Sequence, residues 1–228
     1  MQQLIWVTGS AGNLGRAVCQ RFLEAGYRVV GALAPGEAVP QGTAGIEYRP
    51  VELTDEAAVQ AELEAIARLF GPVDVAVLTA GGFAMGDIAS TSLEQLRAQV
   101  HLNLDTTYPA VRALLGPMKA RRKGRIFMVG SRPGLDMHNG LGMTAYAMSK
   151  SMVFRLAELV NQEAAGSGVT ASVIVPSIID TLQNRASMPG ADFSTWVTPE
   201  KIAEIVHFHC TAPANVIREA VLKVYGDA

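Results

Sequence analysis

The stretch "YAMSK" sets Tyr146 four residues before Lys150. Four residues is about one helical turn, so in a helix the phenol and the ammonium project from one face. A free phenol, with a pKa of about 10, is a poor base at neutral pH. A nearby ammonium favours the phenolate and lowers that value, after which the oxygen can exchange a proton with an alcohol or a carbonyl. The same spacing also describes an ordinary surface pair, so the chemistry depends on what else the chain brings to it.

A second motif lies near the start. "TGSAGNLG", Thr8 to Gly15, places glycines at 9, 12 and 15 between the apolar run "LIWVT" and a segment with Leu14, Val18 and Phe22 on one helical face. Glycine permits a tight turn and lets a pyrophosphate approach the backbone, while free N–H groups at a helix start attract the anion. The strand before the turn and the helix after it are the context this motif requires. Gly9, Ser10, Gly12, Asn13, Leu14 and Gly15 are therefore candidate dinucleotide contacts.

The elements that would position these groups alternate along the chain. Strand-like runs fall at 4–8, 27–33, 46–53, 73–80, 124–131, 169–177 and 220–226. Helical periodicity covers 13–26, a start at Thr54-Asp55-Glu56, a long helix over 92–120 bent near Pro109 or Pro117, then 144–166 and 198–209. Residues 34–45, rich in Pro and Gly, read as a mobile loop. "VDVAVLTA" is apolar on both faces, as a parallel strand covered on each side should be. The pattern predicts an α/β fold, one domain over 1–228, with a Rossmann-type doubly wound parallel sheet and helices on both faces.

Composition narrows the function. A net charge of −2 gives no electrostatic reason for a nucleic-acid or anionic-membrane partner. The basic run "KARRKGR", Lys119 to Arg125, reads as a solvated helix end. Cys19 and Cys210 sit in apolar contexts and read as buried thiols. The start lacks a secretory leader and no apolar run is long enough to span a bilayer, so the expected location is cytoplasmic. No metal site is expected: His138 has no second ligand at a useful spacing, and His207 and His209 diverge on a helix.

With both motifs in place, the chain resembles the short-chain dehydrogenase/reductase family over nearly its whole length, although its middle glycine comes one place earlier than in the usual TGxxxGxG. The resemblance implies an NAD(P)-dependent oxidoreductase acting on a small carbonyl or alcohol, with Tyr146 exchanging the proton and Lys150 also holding the nicotinamide ribose. It implies that Ser131, ending "GRIFMVGS", bonds the reacting oxygen, and that Asn103 in "HLNLDTTY" holds a water near Lys150. The interval from Ser131 to Tyr146 is two residues longer than usual. "TAGG" corresponds to the family's NAG step with Thr79 for Asn, so Ala80, Gly81 and Gly82 approach the cofactor. Glu52 and Leu53 flank the adenine. In "VIVPSIIDT", the Ile179 backbone and the Thr181 hydroxyl would hold the carboxamide, with Pro176 a further cofactor contact. The second strand ends near Leu33 without the acid or arginine that would choose a cofactor, leaving NAD and NADP open.

The segment after Asp180 is similar to dihydropteridine reductase, so pteridine reduction is an alternative to general carbonyl/alcohol chemistry, and a non-catalytic cofactor-binding regulator is another. Substrate is expected between 132–143 and 182–197, lined by Met137, His138, Met143, Met188, Phe193 and Trp196. The resemblance also implies a homodimer or homotetramer through helices 92–120 and 144–166, where Leu114, Met118, Met152 and Leu156 suit either core or interface.

Overall fold

The computed structural model describes residues 2–217 and 220–227. Among them the chain runs β1 (Leu4–Thr8), α1 (Asn13–Glu24), β2 (Arg28–Leu33), β3 (Ile46–Pro50), α2 (Glu56–Phe70), β4 (Val75–Leu78), α3 (Leu93–Val100), α4 (Tyr108–Arg121), β5 (Gly124–Val129), α5 (Arg132–Leu135), α6 (Thr144–Glu163), β6 (Val169–Pro176), α7 (Leu182–Ser187), α8 (Pro199–Phe208) and β7 (Val221–Val224). The strands form one seven-stranded sheet in the order β3-β2-β1-β4-β5-β6-β7, and every neighbouring pair is parallel. This is the doubly wound sheet expected from the alternating pattern.

Side-chain alternation builds the two cores. On β1, Leu4 and Trp6 join the face covered by α2, α4 and α6, where Ile66, Leu114, Met118 and Phe154 are buried. Ile5 and Val7 join the opposite face with Val18 and Phe22 of α1 and Ile202 and Val206 of α8. Period-two alternation inside a wholly apolar strand therefore feeds both layers at once. Strand order reverses between β1 and its two neighbours, and the crevice this leaves lies at the C-terminal ends of the strands.

Several expectations change in detail. The long helix 92–120 is two helices: α3 passes into a π-helical segment, His101–Asp105, and α4 begins at Tyr108. The break precedes Pro109, which sits in the first turn of α4 where its missing N–H costs nothing, while Pro117 is accommodated inside the helix. The basic run ends α4 but is not simply solvated. Arg121 and Lys123 reach Asp74 at 3.4 and 3.0 Å, and Arg122 takes a left-handed conformation (φ 55°) as the helix cap while donating to the Gly166 carbonyl. Both cysteines are free, with burial pushing each thiol up to about 12. His207 packs edge-on against Phe22 and bonds Arg21. Among the described residues no helix is long and apolar enough to cross a membrane.

Candidate active site

The glycine turn sits at the C-terminal end of β1. Gly9 has φ 60°, and an added Cβ there would lie 2.9 Å from the Ala80 nitrogen, so only glycine lets β1 meet the end of β4. A Cβ on Gly15 would lie 2.2 Å from the Gly9 carbonyl oxygen, which brings α1 hard against the turn. Gly12 is the N-cap of α1 and supplies no side-chain acceptor. By contrast, Asp55, Ser92 and Thr198 cap α2, α3 and α8 with their side chains. The first N–H groups of α1 thus remain available for a phosphate, and the turn fits a dinucleotide. Ser10 is buried and its hydroxyl donates to the Ala32 carbonyl at 2.7 Å, so it ties β1 to β2 and only its backbone can face a ligand. Asn13 donates to Gln183 at 2.9 Å, joining the start of α1 to α7. Leu14 packs partly buried under the turn.

The other predicted contacts spread along the same edge of the sheet. Thr79, in place of asparagine, donates to the Thr8 carbonyl at 2.6 Å, and the Ala80 N–H bonds Thr8 Oγ1 at 3.4 Å. Gly81 and Gly82 follow directly. Leu33 is a correction: its side chain is buried and its carbonyl accepts the Val51 N–H, so it offers a cofactor nothing. Alternation turns that side chain into the protein at the strand end. Glu52 accepts from both the N–H and the hydroxyl of Thr54, which hold its carboxyl below the ordinary value. Leu53 packs against the core. Pro176 ends β6. Ile179 pairs with Val197 and its carbonyl accepts from Asn184, while Thr181 caps α7 through the Asn184 N–H at 3.1 Å.

The proton-transfer candidates converge between β5 and α6. Ser131 caps α5, accepting the Gly134 N–H at 3.1 Å, and its hydroxyl lies close enough to the Tyr146 phenol to favour the ionised form. The longer interval from Ser131 to Tyr146 is absorbed by α5 and a 3-10 turn at Met137–Gly140. Burial pushes the Tyr146 phenol up, and the nearby Ser131 hydroxyl offsets this only in part. This corrects the expectation that Lys150 lowers it. Lys150 does lie on the same helix, but its ammonium donates to the Val129 carbonyl at 2.8 Å. Loss of water holds Lys150 down to about 8.

Asn103 lies in the π-helical segment, buried. It accepts the Gly82 N–H at 3.0 Å and donates to the Gly82 carbonyl at 3.1 Å and to Ser149 at 3.0 Å. Its side chain therefore anchors the glycine step beside Lys150 rather than standing open to a water. A Cβ on Gly81 would lie 2.6 Å from Asn103 Oδ1 and 3.3 Å from Lys150 Nζ, so glycine is what lets the three groups meet.

Around the phenol the walls differ from the expected lining. Trp196 is buried against Phe193, with ring centroids 4.8 Å apart, and His138 stands exposed on Asp136. The sequence reading missed Phe83, whose ring meets Tyr146 edge-on at 4.9 Å, and the exposed Met85 and Leu141. Backbone bonds stitch these loops together: Gly86 N–H to the Gly142 carbonyl at 2.7 Å, and Thr144 N–H to the Gly86 carbonyl at 2.8 Å. A cavity of about 1010 Å³ at the opposite edge of the sheet, around Arg125, Asn161 and Cys210, shares none of these residues.

Comparison with known proteins places this architecture. A family model described as short chain dehydrogenase matches residues 3–221, and the chain belongs to that family of oxidoreductases. It is an NAD- or NADP-dependent enzyme moving hydride between the nicotinamide and a carbonyl or alcohol carbon. Among individual relatives, the 3-oxoacyl-[acyl-carrier-protein] reductase MabA of Mycobacterium bovis is 29% identical over 231 residues, covering 97% of this chain and 91% of that protein. FabG of Escherichia coli, with the same named activity, is 29% identical over 79% of this chain and 75% of its own. A short-chain oxidoreductase structure from Burkholderia thailandensis superposes with a TM-score of 0.84 at 30% identity, covering 99% of this chain and 92% of that one. A structure named ElxO with NADP bound shares the fold at TM-score 0.89 and 23% identity, with 99% and 98% covered.

Proposed function

We propose that this one unit both binds the dinucleotide and carries the chemistry, with Tyr146 as the proton donor to a carbonyl, or acceptor from an alcohol, and Ser131 orienting the same oxygen. The observation that carries the reading is the convergence just beyond β5 of the Ser131 hydroxyl, which favours the ionised form of the Tyr146 phenol, and of Lys150, buried and bonded to the Val129 carbonyl. When bound, the cofactor supplies or takes up the hydride at carbon. The backbone of Gly9 to Gly15 and the N-terminus of α1 would hold its pyrophosphate, and Ile179 and Thr181 its carboxamide. Lys150 would reach its ribose and keep a positive charge beside the phenol. Asn103 acts as a positioning residue, fixing Gly81 and Gly82 against Lys150.

Phe83 meets the phenol, and Met85, Met137 and Leu141 add exposed apolar surface on the neighbouring loops, which favours a ketone with an aliphatic or aromatic arm. The activity named for the relatives makes short 3-oxoacyl esters the first substrates to test, with quinonoid dihydropterin beside them. The exposed Met148, Met152 and Leu159 share one face of α6, which supports pairing of two chains through that helix. Two free thiols suit a reducing cytoplasmic setting. The test is NAD(P)H oxidation against such a panel. Tyr146→Phe should lower kcat by at least about a hundredfold while cofactor affinity stays within about threefold. Normal turnover by the Phe variant would remove Tyr146 from its role, and cofactor binding without turnover across the panel would favour the regulator.

A further inference from the structure

The end of β2 carries no acid in the linear sequence, yet the fold returns one to it. "APGE", Ala34 to Glu37, closes as a tight turn in which the Glu37 N–H bonds the Ala34 carbonyl at 3.0 Å. Gly36 takes φ 82°, the conformation a proline-glycine turn of this type requires at its third residue. The Glu37 carboxylate then folds back and accepts the Ala34 N–H at 2.9 Å. These reciprocal bonds fix a carboxylate at the first residue beyond β2. They do so at the edge where Ser10 of the glycine turn is bonded to Ala32 of the same strand.

We infer that Glu37 is the residue that selects the cofactor: its free carboxylate oxygen accepts from the 2′-hydroxyl of an adenosine ribose and repels a 2′-phosphate, so the chain prefers NAD. The inference rests on the dinucleotide site proposed above and adds its specificity. In open α/β sheets the ribose lies beside the end of the second strand, and the group presented there decides between the two cofactors. The group here arrives through a turn three residues further on, and among the described residues no ion pair formed by Glu37 offsets its charge. Arg16, the guanidinium next along from the glycine turn, borders a cavity of about 630 Å³ with Asn13, Gln41, Thr43 and Thr181, and neither Ala34 nor Glu37 lines it.

Fluorescence titration with NADH and NADPH, together with competition by 5′-ADP and 2′,5′-ADP, reads this without any substrate. The wild-type chain should bind NADH at least about tenfold more tightly than NADPH, and the two nucleotide fragments should follow the same order. Glu37→Gln keeps an acceptor for the Ala34 N–H, so the turn persists. It should bring the NADH-to-NADPH ratio to within about threefold of one, mainly by tightening NADPH. Thermal unfolding checks that the variant is folded, and Glu37→Ala should relax the ratio in the same direction. Tighter NADPH binding by the wild type, or an unchanged ratio in both variants, overturns the assignment while leaving the dinucleotide site in place. Failure of the wild type to bind either cofactor overturns the site and the assignment together.

Discussion

Gly81 sits where the proton-transfer groups leave little room for change. A methyl group placed there would stand 2.6 Å from Asn103 Oδ1 and 3.3 Å from Lys150 Nζ. Normal contact needs roughly 3.5 Å, so Asn103 must retreat by most of an ångström. The backbone itself would accept alanine, because Gly81 is not among the residues with positive φ. The strain is therefore borne by side chains. Asn103 holds both the N–H and the carbonyl of Gly82, at 3.0 and 3.1 Å. Each such bond contributes about 0.5–1.5 kcal/mol, and overpacking a tight site costs about 1–3 kcal/mol. These overlap, and Gly81→Ala should destabilise the chain by about 2–4 kcal/mol, lowering Tm by roughly 5–15 °C in a chain of this size. Moving Lys150 Nζ by a few tenths of an ångström, with Asn103 displaced beside it, should also lower kcat by up to about tenfold. The assay is thermal unfolding with steady-state kinetics on the same preparations. Gly190→Ala is the control, because nothing lies within 4 Å of its added Cβ and its φ is not positive. It should leave stability unchanged or raise it by about 0.5 kcal/mol. A Gly81→Ala protein that melts within about 2 °C of wild type and turns over normally would refute the packing of Gly81, Asn103 and Lys150.

Lys150 should also mark the pH dependence of stability. Its folded value is held down to about 8 against an ordinary 10.5. Below pH 8 it is charged in both states and the full burial penalty is present; between 8 and 10.5 the unfolded chain keeps the proton that the folded chain has lost, so its contribution improves as pH rises. Urea unfolding should show wild type gaining about 2 kcal/mol on Lys150→Met between pH 8 and 9.5, and a flat difference would contradict it. Taking the difference cancels the buried thiols of Cys19 and Cys210, whose raised values work in the opposite direction. On the assembly surface, Met152→Glu should convert any dimer formed through α6 to monomer by light scattering, with Tm lowered only modestly because Met152 is 41% exposed. An unchanged mass in a chain that does associate would move the interface elsewhere.

The sheet was legible because each strand carries two messages at once. Wholly apolar runs such as "VDVAVL" say that both faces are covered, and the glycine turn says where the crevice opens. Ser131, Tyr146 and Lys150 were legible as a set because strand ends and helix turns have fixed spacing. What sequence could not carry was how much of each polar group is already spent. Ser10 and Asn103 read as ligand-facing and are instead bonded to Ala32 and Gly82. Leu33 was the right place on the strand, but its side chain points inward, and the acid for that place lies beyond a proline-glycine turn. That signal was present, since a Pro-Gly pair immediately after a strand brings the residue behind it back to the strand end. The break in helix 92–120 was tied to a proline, yet the backbone changes pitch ahead of it, in a segment whose composition carries no such mark.

The Tyr146–Lys150 spacing locates the site without setting its protonation. One helical turn puts both side chains on one face, but Lys150 bonds Val129 and the neighbour that acts on the phenol is Ser131. Burial acts on both in the direction of neutrality, raising the phenol and lowering the ammonium. A phenol in that state is a better proton donor to a carbonyl than a base toward an alcohol. Turning it into a base requires added positive charge at the phenol's own side, and Lys150 delivers that only while it remains protonated, below about pH 8. The order of damage among substitutions follows from this. Losing Ser131 removes the hydroxyl that favours the phenol's ionised form and should lower turnover in both directions. Losing Lys150 should harm both, because it also takes away the ammonium packed against Gly81. Unchanged turnover in Ser131→Ala would mean that the phenol is tuned by something other than this hydroxyl.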